Sequence, residues 1–428
     1  MAQIEALKKS AAKAGGTADW LPQPEPGLTP ETIVARARAL RPKLREQQEE
    51  ADERGSYSDE IHRAFLNGGF YRMVQPKMFG GYEFDLPSFA KVVIEIARGH
   101  PSSGWCFCLG SSHSLAVAAH WPEQAQRELY GAEGNLRAPH RAPPAGEFRP
   151  VDGGYMVTGS WQYSSGAPIC THFIGGAMIR RDGLPPRMVN FIIAREKIEI
   201  IPDWGGDRSL GMRGSGSQTV KVTDQFVPDH HITDGVLLSL PEGQDGTPGT
   251  HLHGNPMYLG ILGGAYHATF GAILTGTAYA AIDEYEEIIR KKSVMGQPGV
   301  LKMHDPASQA ALGEALAKTH AAEAITLQVT QEYMDQCRRW QETGQPITPA
   351  DTWKLWATAQ TGCYLACDAV EKLFRTASAS SSHKGQRMQR YFRDIQMYLV
   401  HPSSQPIVNT LYAQAHLGVG GSLPGIGN

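Results

Sequence analysis

The best-known catalytic motifs are absent from this sequence. No G-x-G-x-x-G follows a predicted strand and no G-x-x-x-x-G-K-[ST] occurs, so nothing indicates a standard dinucleotide or nucleoside triphosphate site. H-E-x-x-H is missing as well, and Gly214-Ser215-Gly216-Ser217 lacks the G-x-S-x-G spacing of a hydrolase nucleophile.

Histidine pairs and cysteines do not predict a metal site by their spacing. His230-His231 and His251-x-His253 lie in or beside a connector, where surface histidines are the usual interpretation, and nothing nearby in sequence completes a ligand set. The six cysteines lack zinc spacing and are typical of small buried side chains in a reducing cytoplasm: Cys106, Cys108, Cys170, Cys337, Cys363 and Cys367. We therefore expect no metal.

Three segments are ordinary singly and distinctive together. They read YMVTGSWQYSSG (Tyr155–Gly166), WGGDRSLGMRGSGSQTV (Trp204–Val220) and MQRYFRDIQMYLVHPSS (Met388–Ser404). In this order and spacing they resemble the acyl-CoA dehydrogenase superfamily, and the resemblance covers about residues 30–420. It implies an α+β multidomain fold with an N-terminal α-helical domain, a middle β-barrel or sandwich domain and a C-terminal four-helix bundle.

Two departures from the dehydrogenase pattern indicate the branch. A dehydrogenase needs a carboxylate base to remove an α-proton, yet Val400-His401-Pro402-Ser403-Ser404 stands where most of them carry a glutamate. The stretch Leu136–Pro150 also has neither Thr-Glu-Pro nor Gly-Ser-Asp. These departures, a Pro101-Ser102-Ser103-Gly104-Trp105 helix start and the later His113 resemble the two-component, reduced-flavin-dependent monooxygenases. That branch includes the p-hydroxyphenylacetate hydroxylase oxygenase component and 3-hydroxy-secosteroid monooxygenase.

The resemblance implies a specific reaction. The chain would be an oxygenase component that takes reduced FMN or FAD (FMNH2 or FADH2) from a separate NAD(P)H:flavin reductase and uses O2 as co-substrate. A flavin C4a-hydroperoxide would then hydroxylate a small aromatic molecule, in the simplest case a phenol. The site must exclude water and keep flavin N5 protonated, because otherwise the adduct loses peroxide. An FAD-dependent acyl-CoA dehydrogenase is the alternative, and a non-catalytic flavoprotein of the same fold is a third.

Three catalytic residues follow from the resemblance. Ser165 matches the hydroxyl that faces flavin N5. His401 takes the place of the dehydrogenase base and would tune the protonation of the peroxide. His113 would bind the substrate hydroxyl and favour the phenolate. Each histidine also has a plain structural interpretation, a helix-cap residue for His401 and a neutral core residue for His113.

The resemblance also implies a set of flavin contacts. Trp105 would pack on the isoalloxazine or the substrate, although a core tryptophan is the competing interpretation. At least one of Ser164 and Ser165, followed by Gly166, would touch the flavin. Arg290 matches an arginine sent to the flavin phosphate, often across a subunit interface, unless it is a solvated helix end. A polar loop would touch a neighbouring subunit's flavin, or is simply flexible: Ser380, Ser381 and Ser382.

The elements that must position these residues are predicted from periodicity and turn signals. Residues 1–28 resemble a flexible tail, and residues 29–140 are predicted to form the helical domain, with Thr29 as its first N-cap. One helix, from Ser102 to about His120, carries both Trp105 and His113. Residues 141–235 are predicted to form strands, with a hairpin at Asp152-Gly153-Gly154.

Residues 236–428 are predicted to form the four-helix bundle. After a connector, helices are expected at roughly 256–292, 305–343, 349–377 and 386–416, joined by short loops. The apolar stretch Met257–Ile282 contains Tyr266 and His267 and continues into a charged segment, so a buried helix explains it better than a membrane span. By analogy with the fold, the bundle would be the core of a homotetramer.

Composition narrows the partners. Hydrophobic residues are 41% and charged residues 19%, which indicates a globular protein with a sizeable core. The net charge of −3 gives no electrostatic reason to expect nucleic acid or an anionic membrane as a partner. The N-terminus has no apolar core of signal-peptide length, so the expected location is the cytoplasm.

Overall fold

The structure, a computed structural model, describes residues 23–419 apart from 132–133, 181–182, 184, 235–238 and 242. Most of the predicted tail and the last nine residues of the chain lie outside the described residues, as does the predicted boundary at 235–236.

The first part of the chain is helical, as the sequence predicts. The first helix begins at Pro30, where Thr29 Oγ1 accepts a 3.2 Å hydrogen bond from the N–H of Thr32. The predicted helix from Ser102 to His120 is divided at Ser112, so that His113 begins a second helix. The helices are α1 Pro30–Glu46, α2 Gln48–Arg54, α3 Asp59–Asn67, α4 Leu86–Gly99, α5 Pro101–Ser111, α6 His113–His120 and α7 Glu123–Gly131.

The middle of the chain forms two packed sheets. The strands are β1 His140–Arg141, β2 Glu147–Val151, β3 Gly154–Ser164, β4 His172–Ile179, β5 Arg187–Ala194, β6 Glu199–Ile201, β7 Gln218–Pro228 and β8 Ile232–Asp234. Their orders are β1-β4-β5-β8 and β2-β3-β7-β6. The predicted hairpin is confirmed by the pairing of Val151 with Gly154. The fully buried Trp161 of β3 donates a 3.0 Å hydrogen bond from Nε1 to the carbonyl of Gly176 in β4, which ties the two sheets together.

The last part of the chain is a helical bundle with two features that the sequence pattern did not predict. A hairpin of β9 Ser293–Val294 and β10 Gln297–Leu301 follows the first long helix. The predicted helix at 386–416 is broken by Pro402, because proline offers no N–H and pushes the preceding His401 into extended backbone. The helices are α8 Pro248–His253, α9 Ala268–Lys291, α10 Pro306–Thr343, α11 Pro349–Ala377, α12 Arg387–Leu399 and α13 Ile407–Leu417.

The long helices pack on the N-terminal helices as well as on one another. α9 contacts α4, α5, α10, α11 and α12, so the start of α9 lies beside α5 and the break after α12. No described helix combines the length and the apolar character that crossing a bilayer requires.

Candidate active site

The end of β3 lies against α5 at an unusually close approach. Gly166 has φ +89°, and a Cβ atom there would lie 3.0 Å from Cα of Gly110 and 3.1 Å from the carbonyl oxygen of Cys106. Glycine adopts this left-handed conformation at little cost and leaves room for the helix backbone. The contact brings the predicted flavin strand and the predicted Trp105 helix together.

A chain of hydrogen bonds links the two elements at Ser165. Trp105 Nε1 donates to Ser165 Oγ at 3.0 Å, and Ser165 Oγ lies 2.7 Å from Ser217 Oγ. Since an indole N–H only donates, the Ser165 oxygen accepts from Trp105. Trp105 is buried, whereas Ser165 is partly exposed. The structure therefore brings two of the predicted site residues into direct contact.

Ser164 has a different environment. Its side chain is fully buried, and its hydroxyl donates a 3.1 Å hydrogen bond to the carbonyl of Trp161. Of the two serines that the sequence offers as flavin contacts, Ser165 is therefore the one that is partly exposed.

His401 faces the same place from the loop after α12. Its Nδ1 accepts a 3.1 Å hydrogen bond from the N–H of Ser403, so the neutral ring carries its proton on Nε2. The ring lies 5.0 Å from that of Phe270 and 5.9 Å from that of Trp105. Burial, and then the charge of Arg141, lower the pKa of His401 to about 4, which keeps the ring neutral near pH 7. The histidine is thus the N-cap of the short turn that follows it, whereas the C-terminal helix cap of its structural interpretation is Val400, and its ring is also a wall of the site.

Arg141 is a site residue that the sequence did not reveal. Its Nε donates to the carbonyl of Gln162 in β3, and its charge acts on His401. The neighbouring Tyr163 ring is 60% exposed and packs against Trp204 at 5.4 Å. A cation beside partly exposed aromatic surface suits a flat, negatively charged ligand. The basic residue was visible in the sequence, but the contact of its side chain with β3 was not.

His113 is buried behind a tyrosine. Its Nε2 lies 2.5 Å from Oη of Tyr266, and this oxygen lies 3.1 Å from Oγ of Ser112. Its Nδ1 is buried and has no hydrogen-bond partner among the described residues. Burial, and then the nearby His140, lower the pKa of His113 to about 3.

Tyr266, and not His113, borders a small apolar cavity of about 20 Å³. In the sequence, Tyr266 stands out only as a polar residue in an apolar stretch, because nothing there indicates its contact with His113. The cavity lies between α4, the junction of α5 and α6, the start of α9, and α10. Its lining residues are Val74, Leu86, Phe89, Ala90, Ser112, Leu115, Leu262, Ala265, Tyr266, Thr269 and Thr330.

The remaining predicted flavin contacts lie elsewhere in the chain. Arg290 has a side chain that is 61% exposed and lies 3.5 Å from Glu286, while Lys292 bonds to Ser378 at 3.0 Å. In the serine loop, Ser381 is buried and Ser382 donates a 2.6 Å hydrogen bond to the carbonyl of Ala379. Within the described part of the chain, no hydrogen bond or ring contact joins Arg290 or this loop to Trp105, Ser165 or His401.

The histidine pair His230-His231 has a carboxylate partner that lies far away in sequence. Oε2 of Glu128, on α7, lies 2.9 Å from Nε2 of each histidine. Across the described residues, this is the group whose ligand atoms all lie within 4.8 Å of one another. The sequence neighbours of these histidines supply no further metal ligand, as expected, but a residue far away in sequence lies beside them. The contacts form a hydrogen-bonded cluster that joins α7 to the turn before β8.

A buried ionic network anchors α12 and therefore the His401 loop. Arg390 Nε donates to Oδ2 of Asp52 at 2.9 Å, and Asp394 Oδ1 accepts a 2.6 Å hydrogen bond from the N–H of Met212. Burial alone would raise the pKa of Asp52, but His100 and Arg390 lower it. Burial, and then the Asp52 carboxylate, raise the pKa of Asp394. Arg390 and Asp394, both in the Met388–Ser404 segment, are thus structural groups inside the core.

Comparison with known proteins agrees with this geometry. Family models of the acyl-CoA dehydrogenase N-terminal and C-terminal domains match residues 31–133 and 268–406. The chain is 30% identical over 374 residues to the flavin-dependent monooxygenase oxygenase subunit HsaA of Rhodococcus jostii, covering 87% of this chain and 94% of that protein. The chain belongs to this family of flavin-dependent monooxygenases. The expected superfamily and oxidoreductase class are confirmed.

Other members of the monooxygenase family and solved structures extend the likeness. The oxygenase component of p-hydroxyphenylacetate 3-hydroxylase from Acinetobacter baumannii is 24% identical over 88% of this chain and 86% of that protein. The crystal structure of 3-HSA hydroxylase from Rhodococcus sp. RHA1 superposes with a TM-score of 0.82 at 27% identity, over 92% of this chain and 98% of that one. XiaF from Streptomyces sp., in complex with FADH2 and glycerol, shares the fold with a TM-score of 0.82 at 20% identity, over 98% and 99% of the two chains.

Proposed function

We propose that this monooxygenase is the oxygenase component of a two-component system and hydroxylates an aromatic substrate with reduced flavin and O2. The observation that carries the proposal is the hydrogen bond between Trp105 and Ser165, together with the contact between the Trp105 ring and the neutral imidazole of His401. No carboxylate takes part in the contacts of these three side chains within the described residues. Most acyl-CoA dehydrogenases carry their carboxylate base at this place.

The residues present fit a flavin. An isoalloxazine is flat and largely apolar, and it needs a wall with a few hydrogen bonds at its N5 and carbonyl edges. Ser165 is partly exposed and offers a hydroxyl, and the exposed residues Tyr163 (60%) and Val400 (74%) offer apolar surface. The Arg141 guanidinium offers a charge opposite to that of the reduced, anionic ring. When bound, the reduced flavin supplies the two electrons that activate O2.

Ser165 would hold the proton at flavin N5. Its oxygen has two lone pairs, of which one accepts from Trp105 and the other is free for an N5–H donor. Its own hydrogen is then donated to Ser217. Trp105 would thus orient the serine by fixing which lone pair points outward.

His401 would serve as a neutral hydrogen-bond donor. Its Nε2 carries the proton because Nδ1 is occupied by the N–H of Ser403. Since its pKa is lowered to about 4, the ring neither repels Arg141 nor titrates in the neutral range. A neutral donor orients an oxygen substituent without delivering a proton that would release peroxide.

The partners follow from the same proposal. The named relatives are oxygenase components or subunits, so the reduced FMN or FAD would come from a separate NAD(P)H:flavin reductase. Relatives named for p-hydroxyphenylacetate and, in Rhizobium, for resorcinol support an aromatic substrate. We further propose a homotetramer in the cytoplasm, in which Arg290, Ser381 and Ser382 contact the flavin of a neighbouring subunit.

The test uses chemically reduced FMN and then reduced FAD, mixed with the anaerobic protein and then with oxygenated buffer in a stopped-flow spectrometer. We expect a transient absorbance that precedes oxidised flavin, and this transient identifies the preferred flavin. Immediate formation of oxidised flavin with both cofactors, together with bleaching of bound FAD by an acyl-CoA, would overturn the proposal in favour of a dehydrogenase.

A further inference from the structure

Three side chains with nitrogen or oxygen ligand atoms converge on one point between the helical part of the chain and the β domain. Oε2 of Glu128, on α7, lies 2.9 Å from Nε2 of His230 and 2.9 Å from Nε2 of His231. These three ligand atoms all lie within 4.8 Å of one another. An ion pair with the carboxylate needs only one imidazole, so the second imidazole at the same oxygen points to a larger role for the cluster.

The short turn Asp229–His231 explains how two neighbouring histidines can face the same way. In an extended strand, consecutive side chains lie on opposite faces of the sheet. β7 ends at Pro228, and in the 3-10 turn that follows each residue is rotated by about 120° from the one before. The rings of His230 and His231 lie side by side, with centroids 4.7 Å apart and planes inclined at 79°. Both Nε2 atoms are thereby directed to the same carboxylate.

Hydrogen bonds on both sides hold the ligands in this arrangement. Nε1 of the buried Trp121 donates a 3.1 Å hydrogen bond to the carbonyl of His231, which fixes the turn against the helical domain. On α7, Nε2 of Gln124 donates a 3.3 Å hydrogen bond to Oε1 of Glu128, the carboxylate oxygen that does not face the histidines. Contacts of this kind orient metal ligands and reduce the cost of bringing them together.

The spacing of the ligand atoms suits a tetrahedral zinc ion. Bonds of about 2.0 Å to zinc at tetrahedral angles separate neighbouring ligand atoms by roughly 3.3 Å. Since the carboxylate oxygen lies 2.9 Å from each imidazole nitrogen, it has to move outward by only about 0.4 Å to admit the ion. The Glu128 side chain is 47% exposed, so it can make this movement into solvent.

The types of the ligands select the kind of ion. Mg²⁺ and Ca²⁺ prefer a shell of oxygen ligands, whereas two imidazoles and one carboxylate suit Zn²⁺ and the neighbouring transition-metal ions. The side chains of His230 and His231 are 24% and 16% exposed, so a water molecule can reach the fourth position of the ion.

We propose that Glu128, His230 and His231 bind one Zn²⁺ ion, which joins α7 to the turn before β8. Within the described part of the chain, none of the three ligands contacts the residues proposed to face the flavin. The ion therefore links the helical part of the chain to the β domain and takes no part in the oxygenase reaction. The expectation that the chain binds no metal considered neighbours in sequence, and Glu128 lies 102 residues before His230.

The test is isothermal titration calorimetry of the full chain with ZnCl₂ at pH 7.5, after the protein has been prepared without a histidine tag and stripped of metal by a chelator. We expect one Zn²⁺ per chain with a Kd of about 1 μM or lower. Zn²⁺ should also raise the unfolding temperature, because it binds the folded chain. MgCl₂ should do neither. Absence of Zn²⁺ binding up to about 100 μM, or equally strong binding of Mg²⁺, would overturn the proposal.

Variants show whether the ion binds at this cluster. Glu128→Gln and His230→Asn each remove one ligand, so each should weaken Zn²⁺ binding at least about tenfold and abolish the rise in unfolding temperature. His251→Asn is the matched control, because His251 is 59% exposed and lies 3.4 Å from Asp245, and it should keep the full zinc affinity. The unfolding transition of each variant in chelator shows that it is folded.

Unchanged zinc affinity in both ligand variants would overturn the assignment, since the ion would then bind elsewhere on the chain. None of these measurements uses flavin or oxygen, so their failure leaves the oxygenase proposal to its own stopped-flow test.

Discussion

The indole N–H of Trp105 donates a 3.0 Å hydrogen bond to the hydroxyl oxygen of Ser165. This contact holds the serine in one orientation, so removing either partner should disturb the proposed hydrogen bond between Ser165 and flavin N5. We predict that Ser165→Ala raises the fraction of reduced flavin that ends as hydrogen peroxide. Trp105→Phe should raise it by a smaller amount, since a net hydrogen bond of about 1 kcal/mol corresponds to roughly a fivefold change. The measurement is the ratio of peroxide to hydroxylated product.

Ser164→Ala is the matched control for this prediction. The Ser164 hydroxyl is fully buried and donates to the carbonyl of Trp161, so it cannot reach the flavin face. Its loss should leave the peroxide ratio close to that of the unmodified protein. An equal rise of the peroxide ratio in the Ser164 and Ser165 variants would mean that the Ser165 hydroxyl does not contact the flavin in the proposed way.

The neutral state of His401 predicts the shape of the pH profile. Burial and the charge of Arg141 lower the pKa of His401 to about 4, well below the ordinary value of 6.5. The product formed per flavin oxidised should therefore be flat between about pH 5 and pH 8, with no inflection near 6.5. Single-turnover product yields across this range check the prediction. An inflection near 6.5 that is lost in His401→Gln would contradict it.

The same lowered pKa has a defined effect on stability. Between about pH 4 and 6.5 the folded chain binds fewer protons at His401 than the unfolded chain does, so stability falls as the pH falls through that window. Burial lowers the pKa of His113 to about 3, which acts in the same direction. The unfolding temperature should therefore be lower at pH 5 than at pH 7.5. A higher unfolding temperature at pH 5 would contradict the neutral, buried state of these rings.

Much of the fold was predictable because its signals are local. Thr29 and Pro30 mark a helix start, and Asp152-Gly153-Gly154 marks a hairpin, through the preferences of a few neighbouring residues. The break at Pro402 was missed, because one continuous helix was predicted over about 386–416. In the structure the proline interrupts that helix, and the break is what carries His401.

The site was predictable only as far as residue types. Ser165, Trp105 and His401 were selected through a family pattern, and the structure brings them together. The partner of His113 was not selected, because Tyr266 is 153 residues away and nothing in either segment indicates the pairing. Arg141 was missed for the same reason, since its contact with β3 is set by the packing of the two sheets.

Any side chain at Gly166 should destabilise the protein. An alanine would combine a left-handed backbone with a Cβ 3.0 Å from Gly110, so it should strain the backbone and push β3 away from α5. We predict a loss of stability of about 2–3 kcal/mol, together with higher peroxide release, measured by urea unfolding and by the peroxide ratio.

Gly153→Ala isolates the backbone contribution to that loss. Gly153 has φ +74°, but a Cβ atom there would have no neighbour within 4 Å, so the substitution should cost only about 1 kcal/mol. It should leave the peroxide ratio unchanged because the hairpin lies at the other end of β3. A similar loss of stability in both variants would show that the close contact between Gly166 and α5 does not add to the cost of a side chain there.

Arg390 should be far more important for stability than a surface arginine of the same helix. Its side chain is 4% exposed and pairs with the buried Asp52, so Arg390→Leu leaves that carboxylate without its cation. Breaking a buried pair in this way costs about 3–5 kcal/mol. Arg387→Leu, whose side chain is 37% exposed and lies 3.7 Å from Glu284, should cost less than about 1 kcal/mol. Urea unfolding of both variants measures the difference. Because Arg390 fixes α12 ahead of the His401 loop, its loss should also raise peroxide release. Equal unfolding midpoints for the two variants would show that the buried network does not hold that loop in place.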